Sequence, residues 1–227
     1  MTAFLENPKP SDSTLRIPKS SALIPVLVID SPDKACRTIS CLMECGIDSV
    51  ELAWRTPHFL TTLQAVRKEF DQLQLGVGTI LTPDQASIAR DVGADFGLSP
   101  GINQPVIEAA QKLSWPFVPG VMTPSDISLA MANGCRLMKF FPAETSGGTA
   151  HLKVMTSPFL HLEPRFIVLG GITEQSCAAY LKIPTVTAIG GSWLAPTDDI
   201  DNHRWNLIAA RTRSALAIIQ QHRPQAT

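Results

Sequence analysis

The sequence predicts an α/β protein, most simply a single-domain (β/α)8 barrel of the TIM type. Three observations predict it. From Ala22 onward, short apolar runs alternate with amphipathic stretches. Eight such runs fit into about 200 residues, the length of one barrel. Several of the amphipathic stretches open on Ser or Thr followed by Pro, the cap and first-turn signature of a helix. The competing architecture is an open doubly wound sheet. No G-x-G-x-x-G follows the first run, which weakens that option for a dinucleotide.

Taken in order, residues 1–21 are a polar lead-in, with Pro8, Pro10 and Pro18 among Ser11, Ser13, Ser20 and Ser21. The barrel domain follows over 22–227. Its first strand is the apolar run 23–29, closed by Asp30-Ser31-Pro32, and Ser31-Pro32 opens a helix over 31–45. The second strand, 49–52, leads to Thr56-Pro57 and a helix over 57–70. The third, 75–78, leads to Thr82-Pro83 and a helix over 83–92. The fourth strand, 96–98, ends in Pro100-Gly101 before a helix over 104–113. The fifth, 117–118, ends in Pro119-Gly120, and Thr123-Pro124 opens a helix over 124–132. The sixth strand is 137–140, the seventh 166–169 and the eighth 186–189. No segment among these reads as a linker dividing the chain.

Composition excludes several functions. The chain has 19 basic and 20 acidic residues in 227, so its charge gives no sign of a nucleic-acid partner or an anionic membrane. No apolar stretch is long enough to span a bilayer. The N-terminus lacks the basic and apolar regions of a signal peptide. Five cysteines form no C-x-x-C pair. Cys36, Cys41 and Cys45 share one predicted helix, where Cys41 and Cys45 read as small buried hydrophobes. A reducing cytoplasm is the simplest compartment.

The chemistry collects around Lys139. It interrupts the apolar run Leu137-Met138-Lys139-Phe140-Phe141-Pro142. Desolvating an ammonium is costly, so a buried lysine is rare. Burial favours the neutral amine, which is a nucleophile towards ketones. A lysine snorkelling from a strand end is the bland alternative. Strand alternation decides which residues could join it. In the second strand, Glu51, Ala53 and Arg55 share one face, and apolar Val50, Leu52 and Trp54 the other. In the third, Val77 and Thr79 share a parity, which points Thr79 to the mouth. In the sixth, Leu137, Lys139 and Phe141 share the inward face. A nucleophile, a carboxylate, a hydroxyl and an arginine thus converge on the barrel mouth. A Glu51–Lys139 ion pair that only holds the barrel together is the structural alternative, and it leaves Arg55 unexplained.

The last two strands run into Gly170-Gly171 and Gly190-Gly191-Ser192. Glycines admit a ligand close to backbone N–H groups, and the loops after strands seven and eight are the recurrent phosphate site of this architecture. Pro100-Gly101 lies on the same rim and reads first as a turn. His58, His151, His161, His203 and His222 show no metal-ligand spacing. Gly147, Gly148 and His151 read as a rim loop after the sixth strand.

These residues together resemble a known family, the Schiff-base aldolases that act on 2-dehydro-3-deoxy-phosphogluconate or 4-hydroxy-2-oxoglutarate, the aldolases of the Entner–Doudoroff pathway. The likeness rests on Val50-Glu51-Leu52-Ala53-Trp54-Arg55-Thr56, Gly76-Val77-Gly78-Thr79-Ile80-Leu81 and Leu98-Ser99-Pro100-Gly101. It rests further on Met138-Lys139-Phe140-Phe141-Pro142-Ala143-Glu144 and Ile189-Gly190-Gly191-Ser192-Trp193-Leu194. The last two segments are the specific ones, and the similarity runs from about Ala22 to Pro196.

The resemblance implies that Lys139 forms the imine and Glu51 is the acid–base carboxylate. It implies that Arg55 and Thr79 hold the carboxylate of pyruvate, with Pro100 on the rim and Phe141 beside the pyruvyl group. It implies that Gly170, Gly171, Gly190, Gly191 and Ser192 take the phosphate. No metal or other cofactor is implied, since a covalent imine is the electron sink, and a homotrimer is implied as the assembly. One position departs from the family: Leu169 stands where phosphogluconate-type members carry Thr, as in the phosphogalactonate aldolases with an apolar residue there. The reaction this implies is reversible cleavage of 2-dehydro-3-deoxy-6-phosphogluconate to pyruvate and glyceraldehyde 3-phosphate, with the galactonate epimer and 4-hydroxy-2-oxoglutarate as alternative substrates of the same chemistry. A phosphate-binding barrel that is an isomerase or a binding protein, with Lys139 structural, is the reading from a different class.

Overall fold

The computed structural model describes residues 22–222. The lead-in assigned to 1–21, and 223–227 at the far end of the barrel domain, lie outside the described residues. The order is β1 (Leu23–Leu27), α1 (Pro32–Glu44), β2 (Ser49–Ala53), α2 (Phe59–Glu69), β3 (Gln74–Gly78), α3 (Pro83–Asp91), β4 (Phe96–Leu98) and α4 (Gln104–Lys112). Then come β5 (Phe117–Val118), β6 (Gly120–Val121), α5 (Pro124–Ala132), β7 (Leu137–Phe140), α6 (Gly148–Thr156), β8 (Arg165–Val168), α7 (Glu174–Leu181), β9 (Val186–Gly191), α8 (Thr197–Asp201) and α9 (Trp205–His222). A 3₁₀ turn over Ser157–Leu162 follows α6.

All strand pairs are parallel, in the order β5-β4-β3-β2-β1-β9-β8-β7-β6. The two ends of that order, β5 and β6, are halves of a single staggered strand. Phe117–Val118 pairs with β4, Gly120–Val121 pairs with β7, and Pro119 separates them. Proline brings no N–H to a ladder, but its carbonyl still accepts from the Lys139 N–H at 2.8 Å. Counted this way, the sheet is the predicted (β/α)8 barrel.

Two apolar layers follow from strand alternation. Val50, Leu52, Val77, Met138, Phe140, Phe166 and Val168 pack outward against the helices. Ile24, Phe96, Leu98, Val118, Leu137, Ile167, Leu169 and Ala188 fill the barrel interior, joined by half-buried Val26 and Phe141. Each fully buried Leu, Ile or Phe contributes about 1.5–3 kcal/mol of transfer free energy.

Boundaries shift at a few points. The first strand ends at Leu27 rather than residue 29. Helix α2 starts at Phe59, with His58 as its cap, so Thr56-Pro57 is a turn and not a helix start. The other three Ser/Thr-Pro signals are real: Ser31, Thr82 and Thr123 each accept a backbone N–H of the first turn. Cys41 is buried, Cys36 and Cys45 are half-buried, and all are free thiols. No helix among the described residues is long and apolar enough to cross a membrane.

Candidate active site

Strands β2 and β7 face each other across the barrel, four strands apart in either direction when β5 and β6 count as one. Each contributes an inward charged side chain to a largely apolar interior. The Lys139 Nζ lies 3.2 Å from Glu51 Oε1, with Lys139 3% exposed and Glu51 fully buried. The Phe141 ring stands 5.0 Å from the same ammonium. Glu51 Oε2 has no hydrogen-bond partner among the described residues. One oxygen therefore holds the lysine while the other is left unpaired. Taking both charges out of water costs more than a surface pair would, so stability alone is a poor reason for this pair.

The neighbouring strand makes room for it. Gly76 and Gly78 of β3 lie opposite Glu51 and Ala53 of β2, on the inward face. A Cβ on Gly78 would sit 1.8 Å from Glu51 Oε1, and one on Gly76 would strike the Phe96 ring. Sequence reading missed Gly78 because a glycine carries no apolar or charged signal. Its signal would have been the Gly-x-Gly at inward parity beside a predicted buried acid.

The parity expected for the third strand needs correction. Val77 packs outward against the helices, so a residue of its parity would leave the mouth. Thr79 reaches the mouth because its φ of 64° puts it in the left-handed region and reverses the alternation. There its hydroxyl accepts from Arg55 Nε at 2.9 Å. Arg55 also lies beyond its strand: β2 ends at Ala53, and the Arg55 N–H donates to the Ala53 carbonyl in a tight turn. Its guanidinium is exposed and keeps its other N–H groups for an anion.

The glycine-rich loops sit side by side. Gly170 and Gly171 follow β8 with φ of 99° and 79°, a conformation that admits a side chain only with strain. Gly190 is closed in by the Ile24 carbonyl and the Leu169 side chain, and the Trp193 ring covers Gly191. Ser192 is exposed at the end of β9. Leu169 is buried in the barrel interior, presenting methyl groups there. Half-buried Pro100 turns over Gly120, where a Cβ would meet the Pro100 carbonyl.

The stretch expected as a rim loop is partly helix. Gly147 caps α6, Gly148 starts it, and His151 lies within it, donating from Nε2 to the Met122 carbonyl at 2.8 Å. His58 pairs with Asp30 at 3.0 Å on the exposed rim. Among the described residues no three His, Cys, Asp or Glu side chains gather closely enough to hold a metal ion.

The chain is similar to known proteins in sequence and in fold. The model of the family described as KDPG and KHG aldolase matches residues 15–211. The chain is 34% identical over 205 residues to the 2-dehydro-3-deoxy-phosphogluconate aldolase of Pseudomonas aeruginosa, covering 90% of this chain and 92% of that one. It is 34% identical over 194 residues to the KHG/KDPG aldolase of Escherichia coli K12, covering 86% and 90%. Among solved structures, the KDPG aldolase of Legionella pneumophila, with pyruvate captured at low pH as a covalent carbinolamine intermediate, superposes with a TM-score of 0.82. That protein is 34% identical, over 88% of this chain and 95% of its own.

Proposed function

This chain belongs to the KDPG and KHG aldolase family, and from that premise we propose that it is the class I lyase that reversibly cleaves 2-dehydro-3-deoxy-6-phosphogluconate to pyruvate and glyceraldehyde 3-phosphate. The observation that carries the reading is the buried Lys139–Glu51 contact of 3.2 Å across the barrel. Arg55 and Thr79 hold the keto-acid carboxylate. The Lys139 amine adds to the C2 ketone, giving a carbinolamine, and loss of water gives the protonated imine. The imine accepts the electron pair of the C3–C4 bond as it breaks, while Glu51 takes the proton of the C4 hydroxyl. The aldehyde leaves, the enamine is protonated at C3, and water releases pyruvate and frees Lys139. Phe141 packs beside the pyruvyl group. Gly170, Gly171, Gly190, Gly191 and Ser192 take the phosphoryl end, with Pro100 on the opposite rim. The imine serves as the electron sink, so the cycle runs without a metal or other cofactor.

Borohydride with pyruvate tests this. It should inactivate the protein and add a reduced pyruvyl mass to the peptide containing Lys139. An adduct on another lysine, or none, would reject the assignment. Lys139→Arg should abolish turnover, since a guanidinium stays protonated and forms no imine. Leu169 favours a second reading of the substrate, in which the galactonate epimer or 4-hydroxy-2-oxoglutarate is used by the same chemistry. The family resemblance further supports a cytoplasmic homotrimer, for which sedimentation gives the oligomeric test.

A further inference from the structure

Between β4 and β6 a side chain takes the place of a backbone ladder. β4 pairs with β5 as far as Val118, and the Ser99 N–H donates to the Val118 carbonyl at 3.3 Å. Pro119 follows and brings no N–H. The next donor on that edge is Gly120. The Pro119 and Val121 carbonyls face β7, accepting from Lys139 and Phe141, so alternation turns the Gly120 N–H towards β4. There it donates to the Ser99 hydroxyl at 3.4 Å, and the same hydroxyl donates to the Gly101 carbonyl at 2.6 Å. Ser99 is 1% exposed. Its hydroxyl thus ties three segments together: the end of β4, the Pro100-Gly101 turn and the first residue of β6.

Gly120 stands opposite Lys139 in the β6–β7 register, so the two share the inward face. A Cβ on Gly120 would lie 2.3 Å from the Pro100 carbonyl oxygen and 2.6 Å from the Gly101 nitrogen. The Pro100–Gly101 peptide therefore fills the inward space that a side chain at 120 would take, on the strand next to Lys139. We propose that Ser99 is a positioning residue for the keto-acid end of the site: its hydroxyl clamps the Pro100–Gly101 peptide over Gly120 as a fixed wall beside Lys139, and that wall limits the length of the 2-keto acid that forms the imine. This rests on the reading of Lys139 as the imine-forming residue. A methyl added at C3 of pyruvate, as in 2-oxobutanoate, then meets backbone held from both sides and not a mobile side chain. Ser99 acts through the peptide it holds, not on the reacting carbons.

The test compares pyruvate with 2-oxobutanoate in kcat/KM for addition to glyceraldehyde 3-phosphate, alongside borohydride trapping of pyruvate at Lys139. Wild type should prefer pyruvate by about tenfold or more, the worth of one methylene against a fixed wall. Ser99→Ala frees the peptide, and the preference should shrink about fivefold, the worth of one hydrogen bond. The change should come from better use of 2-oxobutanoate, with kcat/KM for pyruvate held within about threefold. Ser99→Cys keeps the packing with a weaker donor. It should give a smaller shift in the same direction, and it carries the test if Ser99→Ala does not fold. A Ser99→Ala protein that loses kcat/KM on both acids by one factor would mark the serine as fold support only. An unchanged preference, in Ser99→Ala or failing that in Ser99→Cys, would overturn the clamp, and so would a wild type that uses both acids equally. No pyruvate adduct on wild-type Lys139 would reject the imine reading itself, and this proposal with it.

Discussion

Gly78 leaves the space that Glu51 occupies: a Cβ at residue 78 would fall 1.8 Å from Glu51 Oε1 and 2.6 Å from its carboxyl carbon. Both residues are buried, on adjacent strands β3 and β2. Gly78→Ala needs no left-handed backbone, so its main effect is to push the Glu51 side chain off Lys139. With Glu51 as the proposed general base, we expect kcat to fall by about 10²-fold, close to the loss for Glu51→Gln. Circular dichroism should show an intact fold, and borohydride trapping of pyruvate should persist. Near-normal turnover in either variant would remove Glu51 from the base role.

The Arg55–Thr79 contact of 2.9 Å predicts a different signature. Both side chains stand at the mouth beyond their strands. Arg55→Ala should raise KM for pyruvate and for the keto acid by about 10–100-fold, the worth of a charge-assisted pair of hydrogen bonds. Its effect on kcat should be smaller, and Thr79→Val should give a weaker version of the same shift. Steady-state kinetics in both directions checks it. A loss confined to kcat would place Arg55 in the chemical step instead.

The barrel and the polar pair inside it were legible from sequence because β2 and β7 each carry one charged residue among apolar ones. Alternation then assigns Val50 and Leu52 outward and Leu137 and Phe141 inward, as the packed layers have them. The same rule misassigned β3, where the inward residues are Gly76 and Gly78 and leave no pattern to read. Thr79 arrives at the mouth through a left-handed turn that no alternation encodes. Thr56-Pro57 carries the same helix-start signal as Thr82-Pro83 and Thr123-Pro124, yet Thr82 and Thr123 close reciprocal boxes with Gln85 and Asp126, whereas the residue three positions after Thr56 is Phe59.

A structural prediction comes from the end of the barrel. Asp199 in α8 is buried and accepts from Arg211 of α9 and from Arg204 between the two helices. The hydrogen bond from Arg211 is the largest influence; burial opposes it, and the bond from Arg204 adds to it, so the Asp199 pKa lies below its ordinary 3.8. A lowered folded pKa means that stability is fully present above the ordinary value and is lost as pH falls through the folded one. Asp199→Asn should therefore lower Tm at neutral pH, and the gap to wild type should close below about pH 4. Thermal melts across that range check it. A gap unchanged at low pH would mean that the loss comes from packing and not from charge.

Leu169 gives the sharpest prediction about substrate. Its side chain lies in the barrel interior beside Gly190, at the strand end that leads into Gly170 and Gly171. A leucine offers no hydrogen bond to a sugar hydroxyl, whereas a threonine in its place would. A site that bonds a hydroxyl rejects a substrate lacking it far more strongly than an apolar wall does, because the site's own polar group is then left unpaired. The wild-type protein should thus separate the C4 epimers of the phosphorylated keto acid poorly. Leu169→Thr should raise the preference for the gluconate-type epimer by about tenfold, the worth of one good hydrogen bond. The measurement is kcat/KM for both epimers in wild type and variant. Strong gluconate selectivity already present with Leu169 would show that other rim residues set the stereochemistry, and would dismiss this role for position 169.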